Sequence, residues 1–340
     1  MSATRIDSFI DFEASGIQKG YLRVPHSSNA SAYGWLPMPA VVVRGEPGPT
    51  VLVLGGVHGD EYEGQLAAAQ IAREAAAAPV RGTLILLPSA NVPAALAASR
   101  LSPVDQLNLN RVFPGDMNGT PTQMIAHYIE EILLPRCDAV IDLHSGGGSL
   151  NYLPCVRARL SQDPAIQRRT LALVHSFGTA YGVLFRPARG EPRTLSAACE
   201  RKGVAYINPE TGGGARIGRE ALAAAYLGAR RALGAMGVMA PPDAAPAGPT
   251  ELLSLSPASL VYSDHDGVWE PRVGLGDRVE AGAELAAIHD LKRPWNEPHV
   301  VRSAIAGTVL CERAQAQVSV GDCLFEIAVG LDLPASGHDL

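Results

Sequence analysis

The chain has 340 residues, 47% of them hydrophobic, more than one ordinary domain holds and enough to fill a sizeable core. Its net charge of −6 comes from a mixed pattern without basic blocks, which excludes the footprint of a nucleic-acid or anionic-membrane binder and leaves small-molecule partners. No run reaches the ~20 apolar residues of a bilayer span, the N-terminus has no apolar signal core, and Cys137, Cys155, Cys199, Cys311 and Cys323 form no CxxC, so a reduced, cytoplasmic protein is expected.

In chain order, residues 1–45 read as an N-terminal β extension. Short Leu-rich or β-branched runs bounded by Gly, Pro or Asn then predict buried strands in TVLVLGG (50–56), GTLILLPSAN (82–91), DAVIDLHSGG (138–147) and GVAYINPETGG (203–213). Helical patterns alternate with them at 63–78, 122–136, 164–178 and 218–237. In the second of these, Met124, Ile125, Tyr128, Ile129, Ile132 and Leu133 fall on one face. The alternation predicts an α/β domain over 46–237, with a mostly parallel (mixed) sheet flanked by helices.

Residues 238–250 are rich in Pro and Ala with neither period, and read as a linker. Beyond them, 251–330 holds short strand signals and two similar phrases, GLGDRVEAGAELAAI and AQVSVGDCLFEI. Each is read as a strand, a Gly-Asp turn and a strand, which predicts a small all-β domain with quasi-repeated halves, serving as a lid or an assembly surface.

The chemistry gathers at strand ends. In VLVLGGVHGDEYEG, His58 and Glu61 are three residues apart, close enough for an imidazole and a carboxylate to meet one ion, although a solvated helix start has the same spacing. His144 follows the strand of AVIDLHSGG, and ligands of open α/β sheets sit at the carboxyl ends of strands. Two His and one Glu leave a tetrahedral Zn²⁺ an open position, the catalytic pattern. Glu210, in INPETGGG, follows another strand and is the candidate general base. In SRLSPVDQLNLNRVFPG, Asn110 and Arg111 place an amide beside a guanidinium fork suited to a carboxylate, and Arg100 is a candidate for the oxyanion, with a surface ion pair as its competing reading.

The ordered motifs HGDE, NLNR, DLHSGG and PETGG resemble the succinylglutamate desuccinylase/aspartoacylase family, relatives of the zinc carboxypeptidases, over roughly residues 45–235. The resemblance implies a zinc carboxypeptidase-like fold and hydrolysis of a small N-acyl amino acid with one Zn²⁺ per chain. It gives His58, Glu61 and His144 the zinc positions, Glu210 the base, Asn110 and Arg111 the carboxylate and Arg100 the oxyanion. The opening segment and the β domain are further similar to a branch of that family, the N-acetyl-diaminobutyrate deacetylases of ectoine breakdown, which points to acetyl as the acyl group. Other family deacylases, a metallocarboxypeptidase and a zinc-holding scaffold are the competing readings.

The C-terminal phrase resembles the barrel-sandwich of lipoyl and biotinyl carriers. Pro294 and Trp295 interrupt the hairpin that would display Lys292, so no modification is expected there. Arg186, Arg189 and Arg193 are candidates for a second substrate carboxylate or are solvated loop residues. His127 and His175 are read as ordinary helix residues, and His265, His289 and His299 as lacking a partner at metal-ligand spacing, while His26 lies in a loop able to approach the site without any motif that demands it. A homo-oligomer is expected.

Overall fold

The four runs read as buried strands form the middle of one large sheet. The computed structural model describes residues 3–185, 191–244 and 248–331. Among them the catalytic half contributes β1 (Asp7–Ser8), β2 (Gly16–Pro25), β3 (Trp35–Arg44), β4 (Glu46–Leu54), β5 (Arg81–Leu87), β6 (Ala139–Asp142), β7 (Leu150–Arg159), β8 (Tyr181–Phe185) and β9 (Ala205–Gly213). The C-terminal part adds β10 (Glu251–Ser254), β11 (Leu260–Tyr262), β12 (Gly267–Pro271), β13 (Arg278–Val279), β14 (Glu284–His289), β15 (His299–Arg302), β16 (Gly307–Arg313), β17 (Gln317–Val318) and β18 (Cys323–Gly330). The α-helices are α1 (Tyr62–Ala75), α2 (Val92–Leu96), α3 (Pro121–His127), α4 (Pro164–Phe177), α5 (Leu195–Lys202) and α6 (Arg219–Ala235).

Strands β5, β4, β6 and β9 lie side by side and parallel, because each is apolar on both faces and must be covered on both. One face packs on α1, α4 and α6 through residues such as Ile71, Phe177 and Leu233, all fully buried. The other packs on α3, α5 and the N-terminal strands through Leu52, Ile125 and Leu195. The sheet is mixed: β1, β2 and β3 join it antiparallel through β5, and β7 joins antiparallel to β9.

Helix starts follow their local chemistry. Asp163 caps α4 by accepting from the amides of Ala165 and Ile166, Pro164 opens the helix, and Gly178 closes it at φ +81°. The helix expected over 122–136 is regular only as α3. It widens into a π turn at Tyr128–Leu133 and ends in a 3₁₀ turn at Leu134–Arg136. Pro135 has no amide hydrogen to continue the ladder, and the wider turn keeps Tyr128, Ile129 and Leu133 buried on the same side.

The C-terminal strands do not stand apart from the catalytic layer. β10 pairs parallel with β8, β18 pairs with β10, β16 with β18, and β16 returns to β7, so β7, β8, β10, β18 and β16 close a five-strand ring. Cys155, Val183, Leu253, Leu310 and Ala328 are buried together inside it. A four-stranded antiparallel sheet, β15-β14-β12-β17, lies beyond it.

The quasi-repeat is present in a form that differs from two Gly-Asp turns. The short strands β13 and β17 correspond, each leads through a glycine of positive φ, Gly282 or Gly321, into a long strand, β14 or β18, and only the second of those turns contains the Gly-Asp pair. Each short strand pairs with the other half's opening strand, β13 with β16 and β17 with β12. The stretch read as a linker begins inside the core: Val238 and Met239 are buried against the sheet, and Arg81 donates its amide hydrogen to the Val238 carbonyl at 2.9 Å.

Candidate metal centre and active site

β4 delivers His58 and Glu61 to the carboxyl edge of the sheet through a turn that only glycine permits. A side chain at Gly59 would meet the backbone of Ala94 at 1.9 Å, and one at Gly55 the carbonyl of Gly64 at 2.6 Å. Glu61 is the N-cap residue of α1 yet makes no capping bond. Its carboxylate turns instead between two imidazoles: Oε1 lies 2.7 Å from His58 Nδ1, and Oε2 lies 2.7 Å from His144 Nδ1. All three residues are buried, and their ligand atoms lie within 4.8 Å of one another.

An oxygen faces the far nitrogen of each ring. His58 Nε2 is 3.1 Å from Asn108 Oδ1, and His144 Nε2 is 2.9 Å from Asp142 Oδ2, which also accepts from Tyr206 Oη at 2.8 Å. With the ring proton on Nε2, each Nδ1 would present its lone pair to an ion beside Glu61, the orientation a metal ligand needs. Burial alone would raise the Glu61 carboxyl, but His58 and His144 overcome it and hold it far below the usual range. Burial would lower the His144 ring, while Asp142 and Glu61 raise it well above the ordinary value.

Glu210 sits on β9, bridged through the backbone to His144. Its Oε2 has no hydrogen-bond partner among the described residues. Burial, reinforced by Glu61, pushes its carboxyl up to about 8 against the opposing pull of His144 and Arg157. Arg100 reaches the site from its loop, with Nη1 3.4 Å from Glu61 Oε1 and 3.5 Å from His58 Nδ1. Asn110 Oδ1 accepts from the Leu195 amide at 2.8 Å, which fixes the orientation of its amide. Arg111 donates to the Asn110 carbonyl at 2.6 Å, and burial together with the nearby Arg100 lowers its guanidinium below the ordinary value.

His58, Glu61, Arg100, Asn110, Arg111, His144 and Glu210 all line one cleft of about 590 Å³. Sequence reasoning missed part of it. Asp142 has a signal, since it stands two residues before His144 and therefore points to the same side of the strand. Tyr152, Arg157 and Leu255 also line the cleft, but strand register puts them there and no local motif marks them. Of the arginines considered for a second carboxylate, Arg193 pairs with Glu191 at 3.0 Å, and Arg186 and Arg189 lie outside the described residues. Lys292 is exposed in the turn between β14 and β15.

A second cluster corrects the reading of two histidines as lacking partners. Asp264 Oδ1 lies 2.9 Å from His265 Nδ1 and 3.0 Å from His299 Nε2. The two rings are stacked at 3.8 Å and 17°, and Asp264 and His265 are exposed, the setting of a solvated hydrogen-bonded triad. Among the described residues no helix is long and apolar enough to cross a membrane.

The family model described as "Succinylglutamate desuccinylase/Aspartoacylase catalytic domain" matches residues 47–236. A relative from Halomonas elongata, N-alpha-acetyl-L-2,4-diaminobutyric acid deacetylase, is 37% identical over 324 residues, covering 95% of this chain and 94% of that one. The product-bound structure of the ectoine utilization protein EutE (DoeB) from Ruegeria pomeroyi superposes with a TM-score of 0.91 at 34% identity, covering 97% of this chain and all of that one. A succinylglutamate desuccinylase/aspartoacylase from Rhodobacter sphaeroides gives a TM-score of 0.90 at 35% identity, over 97% of this chain and 100% of its own. With its motifs in family order and its fold shared along nearly its whole length, the chain belongs to the succinylglutamate desuccinylase/aspartoacylase family.

Proposed function

We propose that this chain, an enzyme of a family of amide hydrolases, removes the acetyl group from N-acetyl-2,4-diaminobutyrate with the help of one zinc ion. The observation that carries the reading is the Glu61 carboxylate bracketed by two inward Nδ1 atoms, with the partnerless oxygen of Glu210 facing the same cleft. The acetyl group and the diaminobutyrate come from the Halomonas elongata relative and the EutE (DoeB) structure.

The donor set fits zinc. Two imidazole nitrogens and one carboxylate oxygen are the borderline ligands Zn²⁺ prefers over the all-oxygen shells of Mg²⁺ or Ca²⁺, and both rings are oriented from behind by oxygens. His58, Glu61 and His144 would hold the ion. When bound, it supplies Lewis acidity that makes a water more acidic and polarises the acyl oxygen.

The chain's own residues do the rest. Glu210 takes the proton of the attacking water and returns it to the departing amine nitrogen. Arg100, 45% exposed and touching Glu61 through one nitrogen, has donors left for the developing oxyanion. Asn110, its oxygen held by Leu195, turns its NH₂ to the substrate carboxylate beside the Arg111 fork. Glu191 lines the cleft near Arg111, and its carboxylate, oriented by Arg193, is the acid we assign to the substrate's free ammonium group.

We read the catalytic layer as zinc carboxypeptidase-like and the C-terminal strands as a barrel-sandwich. The division into 1–45, 46–237, 238–250 and 251–330 goes with that reading. Because Leu255, Ser256 and Pro257 line the cleft, the last unit serves as its wall. A cytoplasmic homo-oligomer completes the proposal, supported by five unpaired cysteines and by the exposed Phe9, Tyr21 and Trp35 around the β2–β3 hairpin.

The test is metal dependence of acetate release. Chelated protein should be inactive on N-acetyl-2,4-diaminobutyrate, and one equivalent of zinc should restore it. Full activity in the metal-free protein would refute the metal reading.

A further inference from the structure

The cleft wall formed by β7 contains a charge pair that the reaction above leaves unused. Arg157 lines the cleft, and its Nη1 donates to Glu326 at 3.0 Å (Oε2) and 3.2 Å (Oε1) and to Tyr152 Oη at 3.3 Å. Glu326 comes from β18, at the far end of the sequence, and is 3% exposed. It interrupts an otherwise apolar strand, CLFEIAVG, where an acid is costly unless paired.

Register aims the pair at the reacting groups. Arg157 stands opposite Asn208 and Cys155 opposite Glu210, so Arg157, Asn208 and Glu210 share one face of the β7–β9 pair, and all three line the cleft.

We propose that Glu326 is a positioning residue for acyl specificity. By occupying Arg157 it leaves this wall electrically neutral, so the cleft accepts a short uncharged acyl group such as acetyl and turns away acyl groups ending in a carboxylate, such as succinyl. The proposal rests on the deacylase reading of the site. A succinyl carboxylate must shed its water on entry and needs a cation that is not already committed. Among the described lining residues there is none to spare. Arg159 is paired with Glu200 at 2.8 Å, Arg100 and Arg111 are assigned to the oxyanion and to the substrate's own carboxylate, and Arg157 belongs to Glu326.

Glu326→Gln keeps the shape of the side chain and removes its charge, leaving Arg157 as an uncompensated cation. The experiment measures kcat and KM of the zinc-loaded wild type, Glu326→Gln and the Arg157→Gln/Glu326→Gln double variant on the N-acetyl and N-succinyl forms of 2,4-diaminobutyrate. The wild type is expected to favour acetyl, and Glu326→Gln to shift the ratio of kcat/KM towards succinyl by about tenfold or more, through a lower KM for the succinyl substrate. The double variant, with no charge left unpaired, should return to the wild-type preference.

A purely structural role would depress both substrates in proportion. An unmoved ratio in Glu326→Gln, or a wild type that cleaves both forms equally well, therefore overturns the proposal. If Glu326→Gln does not fold, Glu326→Ala is read in its place on the same ratio: a shift towards succinyl upholds the proposal, and an unmoved ratio overturns it. A wild type that hydrolyses no N-acyl amino acid brings down the deacylase reading itself, a result distinct from intact deacetylation with an unmoved ratio.

Discussion

Asp142 touches no substrate in the account above, yet Asp142→Asn should weaken zinc binding. The residue is 0% exposed, and its Oδ2 lies 2.9 Å from His144 Nε2 while accepting from Tyr206 Oη at 2.8 Å. The carboxylate keeps the ring proton on Nε2 and makes Nδ1 more basic. An asparagine carbonyl in the same place would still accept the proton but without the charge. An amide turned the other way would donate to Nε2 and drive the proton onto Nδ1, where the metal must bind. Loss of such an outer partner typically costs about 10–100-fold in metal affinity, which corresponds to about 1.4–2.7 kcal/mol. Competition of the metal-free variant against a chromogenic chelator reads the affinity directly. The melting temperature of the metal-free protein should move little, because the change also removes a buried charge. Zinc affinity within twofold of wild type, with the fold intact, would refute the reasoning.

Three further outcomes are expected. Glu210→Gln should retain a full equivalent of zinc while kcat falls by about 10²–10⁴-fold, as loss of a general base requires; zinc content is read by elemental analysis and turnover by amine release. Arg111→Ala should raise KM by about 10–100-fold, the worth of a charge-assisted clamp, with a smaller effect on kcat, in steady-state kinetics. Glu74 ties α1 to α6 by accepting from Arg230 at 2.7 and 2.8 Å and from Tyr226 at 2.7 Å, and the Arg230 hydrogen bonds hold its carboxyl below the ordinary value. A depressed carboxyl stabilises the fold above its unfolded value of 4.5 and loses that contribution as pH falls through its lower folded value. With the pair partly exposed, Glu74→Gln should cost about 1 kcal/mol at neutral pH, and urea titrations should show the difference from wild type shrinking below pH 4.5.

The residues that gather at the candidate metal centre were legible because parallel strands buried on both faces read as continuous apolar runs, and the chain can place charge only where such a run ends. TVLVL before His58 and AVIDL before His144 therefore mark both the strands and the rim. β7 hid for the opposite reason. Its sequence, LNYLPCVRAR, holds two arginines and a proline. The proline falls within the irregularity between Tyr152 and Cys155, and the half-buried Arg157 is met by Glu326 from a distant strand. No local pattern reports such a partner. Likewise the Pro- and Ala-rich stretch after Gly237 looks like a tether, while Val238 and Met239 fill a hollow that only the assembled helices create. The acid within CLFEI was the one visible clue that the C-terminal strands answer a charge elsewhere.

The central claim is tested most directly by amine release from a panel offered to the zinc-loaded protein: N-acetyl-2,4-diaminobutyrate, N-succinylglutamate, N-acetylaspartate and a short peptide. The account predicts selective turnover of the first. Cleavage of the peptide alone would make the chain a carboxypeptidase, and silence across the panel with zinc bound would contradict the deacylase reading altogether.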